Sequence, residues 1–388
     1  MKRTEEEKKA LRVARLWKLL RKPVTRFMHR RFGYDCAEID VPEGAFLLYA
    51  NHVTDLDPVF VGCATKTPLV YVAGENVRRM GFLTRLIDRY AYTIDRYKGG
   101  TDAACALQIL RTLRGGSAVC MFPAGERSYL GKSVEIPMAS AKLAKSARVP
   151  LITYRLVGGY MTSPRWADTM RRGKMAGEWV HIYMPEELKT LSVEELHAKI
   201  SADLFEDAYA APPAPYHGKQ LAERLETMLY LCPSCGKIDT LRSSGNRFFC
   251  ACGLETWLNE EGRFEGAKPF AHPGAWDDWQ QGEMQRIAAA AGEAVVLSDE
   301  GQQLYRTTED HKLLTVAAGT MSMSGETFRL GSFSAPLSAL DGFALTQKDK
   351  LSFTMDGAHY VIRSDHSRCG KKYCDFFRYR RKTAEQTD

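Results

Sequence analysis

Asn51-His52-Val53-Thr54-Asp55-Leu56-Asp57-Pro58 follows directly on the apolar run Gly44-Ala45-Phe46-Leu47-Leu48-Tyr49-Ala50. The run is short and continuous, so residues 44–51 are expected as a buried strand that delivers His52 at its C-terminal end. On one unbroken helix, His52 and Asp57 would lie about 140° apart and could not meet. They meet if His52 ends a strand and Asp57 opens the next helix, an arrangement that Pro58 near a helix start supports. An imidazole held by a carboxylate is a base in a fixed tautomer. The plain alternative is that Asp57 only caps the helix, or forms a capping box with Thr54.

Working outward, Leu69–Val72, Ala91–Ile94, Ser117–Phe122 and Val149–Leu156 read as further strands. Helices are expected over 76–90, 101–114 and 137–147. Strands alternating with helices indicate an α/β layer architecture with a sheet flanked by helices. Polar residues gather where its strands end, the edge at which open α/β sheets bind ligands. One such end is Asp95-Arg96. Another is Phe122-Pro123-Ala124-Gly125-Glu126-Arg127-Ser128. Gly125 permits close backbone approach to a ligand, and Arg127 offers a forked donor suited to phosphate. The plain alternative is a surface turn in which Arg127 pairs with Glu126 or Glu135, and a surface ion pair for Arg96.

The order His-x4-Asp, a short strand ending Ile94-Asp95-Arg96, Phe-Pro-x-Gly-x-Arg-Ser, then Val149-Pro150-Leu151-Ile152 resembles the glycerophospholipid acyltransferase family over roughly residues 20–190. The resemblance implies His52 as general base and Asp57 as its orienting carboxylate. It implies Arg96, Gly125, Glu126 and Arg127 around an acceptor phosphate. It further implies direct acyl transfer from acyl-CoA or acyl-carrier protein to the hydroxyl of a lysophospholipid such as 1-acylglycerol-3-phosphate. The family usually reads Phe-Pro-Glu-Gly-Thr-Arg; here Ala124 stands at the Glu position and Glu126 at the Thr position. Gly74 stands where a lysine is frequent. These departures bear on the acceptor more than on the reaction class.

Charge is uneven. Residues 1–33 hold 12 Lys or Arg against Glu5, Glu6 and Glu7, a balance of +9 within a chain total of +7, so the remainder is about −2. In this segment Val13, Leu16, Trp17, Leu20, Val24, Phe27 and Met28 recur at helical steps between cations, with Pro23 expected to kink or divide the helix. Such a helix fits an anionic membrane surface, its apolar face inserted; the alternative is that the stripe packs on the protein's own body. No run of 18 apolar residues occurs and no secretory signal is evident, so the expected location is the cytoplasm, peripheral on the inner face of the membrane.

Ten cysteines in a chain read as cytosolic argue against a disulfide framework. Cys232-Pro233-Ser234-Cys235-Gly236 and Cys250-Ala251-Cys252-Gly253 read as a zinc ribbon with four thiolate ligands, closed to catalysis and structural in role. Cys369 and Cys374, near Asp365 and His366, are read as ordinary thiols of a terminal helix rather than a second metal site. Beyond residue 294, short alternating strands with a helix from Lys371 to Arg381 loosely resemble a pleckstrin-homology-type domain.

The expected organisation is a basic amphipathic helix (1–33), an acyltransferase-type mixed α/β domain (34–210), a linker and short helix (211–230), a zinc ribbon (231–258), a linker with a helix near 282–291 (259–293) and a β-rich domain (294–388). A nucleic-acid-binding role is weighed and set aside, because only Lys237, Arg242 and Arg247 fall between the cysteine pairs. The remaining alternative is a catalytically silent lipid-binding membrane scaffold.

Overall fold

The computed structural model describes residues 5–38, 41–74, 93–96, 102–266, 269–308, 312–346 and 350–385. Contacts divide the chain into two compact units. One is Met1–Arg165 with Thr169–Gly218; the other is Trp166–Asp168 with Lys219–Asp388.

The first unit is built on a seven-stranded sheet. Its strands are β1 (Tyr34–Cys36), β2 (Leu47–Ala50), β3 (Leu69–Gly74), β4 (Thr93–Arg96), β5 (Ala118–Met121), β6 (Leu151–Val157) and β7 (Met175–Tyr183), in the order β1-β7-β6-β2-β5-β3-β4. All neighbours run parallel except the antiparallel pair β6–β7. β2 sits centrally, so the chain leaving it is flanked on both sides.

Alternation along the strands sends side chains into two cores. Phe46, Leu48, Ala50, Cys120, Ile152 and Tyr154 pack with Met28 and Phe32 of helix α1 (Glu5–Phe32) and Phe60 and Val61 of α2 (Asp57–Cys63). Leu47, Tyr49, Val119 and Leu151 face the other way. They meet Ile109 and Leu113 of α3 (Asp102–Arg114), Ala141 and Ala144 of α4 (Met138–Ala147), and Leu196 and Ile200 of a helix over Val193–Leu204. A strand buried on both faces needs apolar residues at every position, which is why Leu47–Ala50 shows no polar alternation; the strand expected over 44–51 is shorter, with Gly44 exposed before it. The helix expected over 76–90 lies outside the described residues.

α1 departs from expectation in two ways. It runs through Pro23 as one helix. Its apolar stripe is also divided: Met28 and Phe32 are buried, and the Trp17 ring lies where a Cβ on Gly62 would come within 3.0 Å of it. Arg21 is buried with them, donating to Cys63 O at 3.1 Å and to Glu38 at 2.5 Å. Leu20 and Phe27 of the stripe are 40% and 58% exposed, and Leu19, which lies outside it, is 73% exposed, beside Lys18, Lys22 and Arg26. The stripe is wider than one contact face, so it serves the protein body along one edge and leaves the other open. Among the described residues, no helix is long and apolar enough to cross a membrane.

The second unit holds a four-stranded antiparallel sheet over Leu241–Ser244, Arg247–Cys250, Glu255–Leu258 and Phe264–Gly266. A seven-stranded antiparallel sheet runs from Leu297 to Ser364, followed by a helix over Lys371–Glu385. Three expectations are corrected. Residues 219–230 form turns with one 3-10 turn at Leu225–Thr227 rather than an amphipathic helix. The stretch 259–293 is not a linker: Phe264–Gly266 completes the small sheet, and Pro273–Ala290 is an 18-residue helix that begins well before residue 282. His272 caps it by accepting from Ala275 N at 3.1 Å, a cap that composition does not advertise. The short strands expected beyond residue 294 begin instead with one long hairpin, Leu297–Thr307 paired with Leu313–Met323.

Candidate functional site

His52 lies in the loop between β2 and α2, as the reading of its strand requires. Its Nδ1 is 2.6 Å from Asp57 Oδ2. Asp57 is fully buried and gathers the whole loop around its carboxylate. Val53 N donates to Oδ2 at 2.7 Å, Thr54 N to Oδ1 at 2.9 Å, and the Thr54 hydroxyl to Oδ1 at 2.6 Å. Thr54 N donating to Asp57 Oδ1, with Leu56 N donating to the Thr54 hydroxyl at 3.0 Å, keeps a cap-like pairing of Thr54 with Asp57 at the start of α2. The same carboxylate also holds the imidazole, so it organises the ring and two backbone amides at once. Thr54, which sequence reasoning considered only as a cap, is part of that cradle.

The loop is anchored from three further directions. Asn51 is buried and pairs with the backbone of Leu156 through both ends of its amide, at 2.9 and 2.7 Å. The His52 ring stacks on Phe122, centroids 4.8 Å apart. Ser128 N donates to His52 O at 3.0 Å, stitching the turn after β5 to the loop after β2. In that turn Gly125 has φ +71° and its N–H closes on Phe122 O, a conformation that a side chain at this position would strain. Ala50, His52, Ala124, Glu126, Ser133 and Leu204 are among the residues lining a small pocket beside the imidazole. Glu126 also accepts from Tyr129 OH at 2.7 Å.

Arg127 differs from its expected role. Its fork does not stand open for a ligand. Nε donates to Val53 O at 3.2 Å and Nη2 to Ser163 O at 2.8 Å, while Nη1 pairs with Asp55 at 2.9 Å. With its side chain only 13% exposed, it braces the His52 loop against the segment at Ser163. The partners are backbone carbonyls, which no reading of residue types along the chain can reveal. Arg96 ends β4 opposite Gly74, and its side chain lies outside what the structure describes.

Glu206 was missed altogether. It is buried, accepts from Gly158 N at 2.6 Å through one oxygen, and its other oxygen makes no hydrogen bond. Its backbone brackets Ser133, at 2.9 Å in both directions, beside the pocket. Burial pushes its carboxyl up to about 8, lowered somewhat by the Gly158 amide and raised by the charge of Asp57. Nothing in the sequence around Asp207 marks it, because its environment is built from remote turns.

In the second unit, the thiols of Cys232, Cys235, Cys250 and Cys252 all lie within 4.8 Å of one another. Cys232 and Cys252 sulfurs are 3.7 Å apart, and those of Cys235 and Cys250 3.9 Å. Disulfides require about 2.05 Å. A tetrahedron of thiolates about 2.3 Å from a central ion has edges of roughly 3.8 Å. The four groups are thus placed to hold a metal ion. The Lys237 N–H holds the Cys235 thiol below its ordinary value, whereas burial pushes the Cys232 thiol up to about 12. Among the described residues no comparable group forms around Cys369 and Cys374.

Residues 36–157 match a protein-family model described as Acyltransferase. A probable 1-acyl-sn-glycerol-3-phosphate acyltransferase from Mycoplasma pneumoniae is 32% identical over 135 residues, which make up 32% of this chain and 50% of that protein. The chain thus spans about half the length of this curated relative. The crystal structure of the 1-acyl-sn-glycerophosphate (LPA) acyltransferase PlsC from Thermotoga maritima aligns at 20% identity with a TM-score of 0.42, over 52% of this chain and 80% of that one.

Proposed function

We propose, from the match of residues 36–157 to a family model described as Acyltransferase, that the protein transfers a fatty acyl group from a thioester to the free hydroxyl of a lysophospholipid, 1-acylglycerol-3-phosphate being the best-supported acceptor. The observation that carries the reading is the 2.6 Å bond between His52 Nδ1 and buried Asp57. With Nδ1–H donated to the carboxylate, Nε2 holds the lone pair. It takes the proton of the acceptor hydroxyl as that oxygen attacks the thioester carbonyl. Asp57 stabilises the imidazolium that forms, as the carboxylate of a serine-protease triad does. Collapse of the tetrahedral intermediate expels the thiolate, which receives the proton from Nε2. Products are the diacyl lipid and the free thiol of CoA or acyl-carrier protein. The enzyme needs no nucleophile of its own, since the acyl group arrives activated.

Two supporting parts belong to the same proposal. The open edge of α1, with Leu19 and Phe27 among cations, lies on the anionic inner face of the membrane where the acceptor resides. The four-cysteine cluster holds a structural zinc whose thiolate set leaves no open position, so it folds its segment without touching the reaction. The hairpins after Leu297, with the closing helix, form a pleckstrin-homology-type docking module. Ala124, where the family carries Glu, favours one competing reading, a catalytically silent lipid-binding scaffold. Mass spectrometry of products from a panel of lysolipids, with acyl-CoA and with acyl-carrier-protein donors, decides between them. Diacyl product from lysophosphatidate supports the proposal. Vesicle binding with no product from any acceptor supports the scaffold.

A further inference from the structure

The buried Glu206 stands where three segments of the first unit meet. The first is a strap made by residues 131–133 and 206–208. Ser133 N donates to Glu206 O at 2.9 Å, Glu206 N to Ser133 Oγ at 2.9 Å, and Ala208 N to Gly131 O at 3.0 Å. The Ser133 hydroxyl donates in turn to Leu204 O at 3.1 Å, and Ser133 and Leu204 both line the pocket beside His52. The second segment is the end of β6, where Gly158 N donates to the Glu206 carboxyl at 2.6 Å. The third is the His52 loop. A Cβ on Gly159 would come within 2.4 Å of Val53, so the turn that Glu206 holds is pressed against the loop that carries the imidazole.

The other carboxyl oxygen of Glu206 is buried and makes no hydrogen bond. A neutral carboxyl tolerates one amide partner; a buried carboxylate needs more. Burial is the main obstacle to its ionisation, and the charges of Asp57 in the His52 loop and Asp207 in the strap add to it. Arg155 of β6 favours the charge but is committed to Glu178 and Phe205 O. Tyr216 also faces the group, its own hydroxyl pushed up to about 12 by burial.

We propose that Glu206 is a positioning residue that must stay protonated: neutral, it ties the pocket wall at Ser133 and Leu204 to the turn packed on the His52 loop, and ionised, it lets the strap part from that turn. The rate arm of the test rests on the acyl-transfer reading above; the exchange arm does not. Because the carboxyl titrates near 8, wild-type kcat/KM falls about tenfold between roughly pH 7 and 9, as one ionising group dictates. Circular dichroism in the same buffers corrects each rate for the folded fraction. Glu206→Gln, neutral throughout, holds its kcat/KM within about twofold over that range.

A flat wild-type profile, or a Glu206→Gln profile that falls in parallel, overturns the inference. So does a loss of rate that only follows loss of folded protein, which makes Glu206 structural. A folded Glu206→Gln that is inactive at every pH overturns it as well, because a neutral side chain then does not suffice. Amide hydrogen exchange of the wild-type protein reads the same strap without turnover or a variant. Relative to Leu48 of β2, exchange at Ser133, Gly158 and Glu206 rises about tenfold over the same range; a constant ratio refutes the inference. If the wild-type protein acylates no lipid, the acyl-transfer reading fails while the exchange ratio still judges Glu206.

Discussion

Replacing Asp57 by Asn exchanges one acceptor oxygen for a donor at the most crowded point of the site. The carboxylate serves four donors, namely His52 Nδ1, Val53 N, Thr54 N and the Thr54 hydroxyl, between 2.6 and 2.9 Å. An amide oxygen retains about two of them, and its NH2 then faces the others. Two buried donors without acceptors cost about 1–3 kcal/mol each, so a loss of roughly 2–6 kcal/mol of stability is expected. The effect on rate is separate. Without a carboxylate at Nδ1 the imidazole is free to adopt the other tautomer, placing a proton on Nε2 where a lone pair is needed. General-base catalysis is worth about 10²–10⁴ in rate, so a fall in kcat near 10³-fold, about 4 kcal/mol of barrier, is predicted. Thiol release with a chromogenic trap measures the rate, and denaturant unfolding measures the stability. Thr54→Val removes only the hydroxyl and serves as the comparison; it loses about 1–2 kcal/mol of stability and keeps most of the rate. If Asp57→Asn turns over within a fewfold of wild type, the reasoning about the tautomer is wrong.

Glu206 makes stability depend on pH with a definite sign. Its carboxyl titrates near 8 when folded against an ordinary 4.5; between those values the unfolded chain has released a proton that the folded protein retains. Stability therefore falls as pH rises through that window, by at most about 5 kcal/mol at roughly 1.4 per unit. Glu206→Gln should flatten the curve, matching wild type near pH 4.5 and exceeding it at pH 8.5 in chemical unfolding; a variant less stable at pH 8.5 contradicts the buried-acid account. Leu19→Asp with Phe27→Asp should weaken binding to anionic vesicles at least tenfold in sedimentation, since each apolar side chain withdrawn from the interface forfeits on the order of 1 kcal/mol or more, and unchanged binding refutes the α1 assignment. Cys252→Ser should lower zinc content well below one equivalent in metal analysis and reduce the unfolding temperature of the second unit; full zinc retention would exclude Cys252 as a ligand.

The strand–loop–helix at residues 47–63 was legible because burial on both faces forces an unbroken apolar run, and Pro58 marks where a helix can begin. That placement alone brings His52 to Asp57. The four-cysteine cluster was legible for a similar reason, since its ligands come in two local pairs. What stayed hidden depends on backbone atoms and on distance along the chain. Arg127 was read as a free fork because carbonyl acceptors such as Val53 O and Ser163 O have no sequence signature. Glu206 approaches the site only through Gly158 and Ser133, from turns that β6 and the helix ending at Leu204 bring together. α1 misled in another way: one amphipathic stripe can serve a protein core and a lipid surface at once, and periodicity does not say where one ends.

The most direct test of the central claim is the rate of diacyl product formation by His52→Gln with saturating lysophosphatidate and acyl thioester. If Nε2 is the base, kcat falls by about 10³-fold or more, while zinc content and vesicle binding stay at wild-type values. Product formed at the wild-type rate would place the chemistry elsewhere and remove the acyl-transfer mechanism proposed for this site.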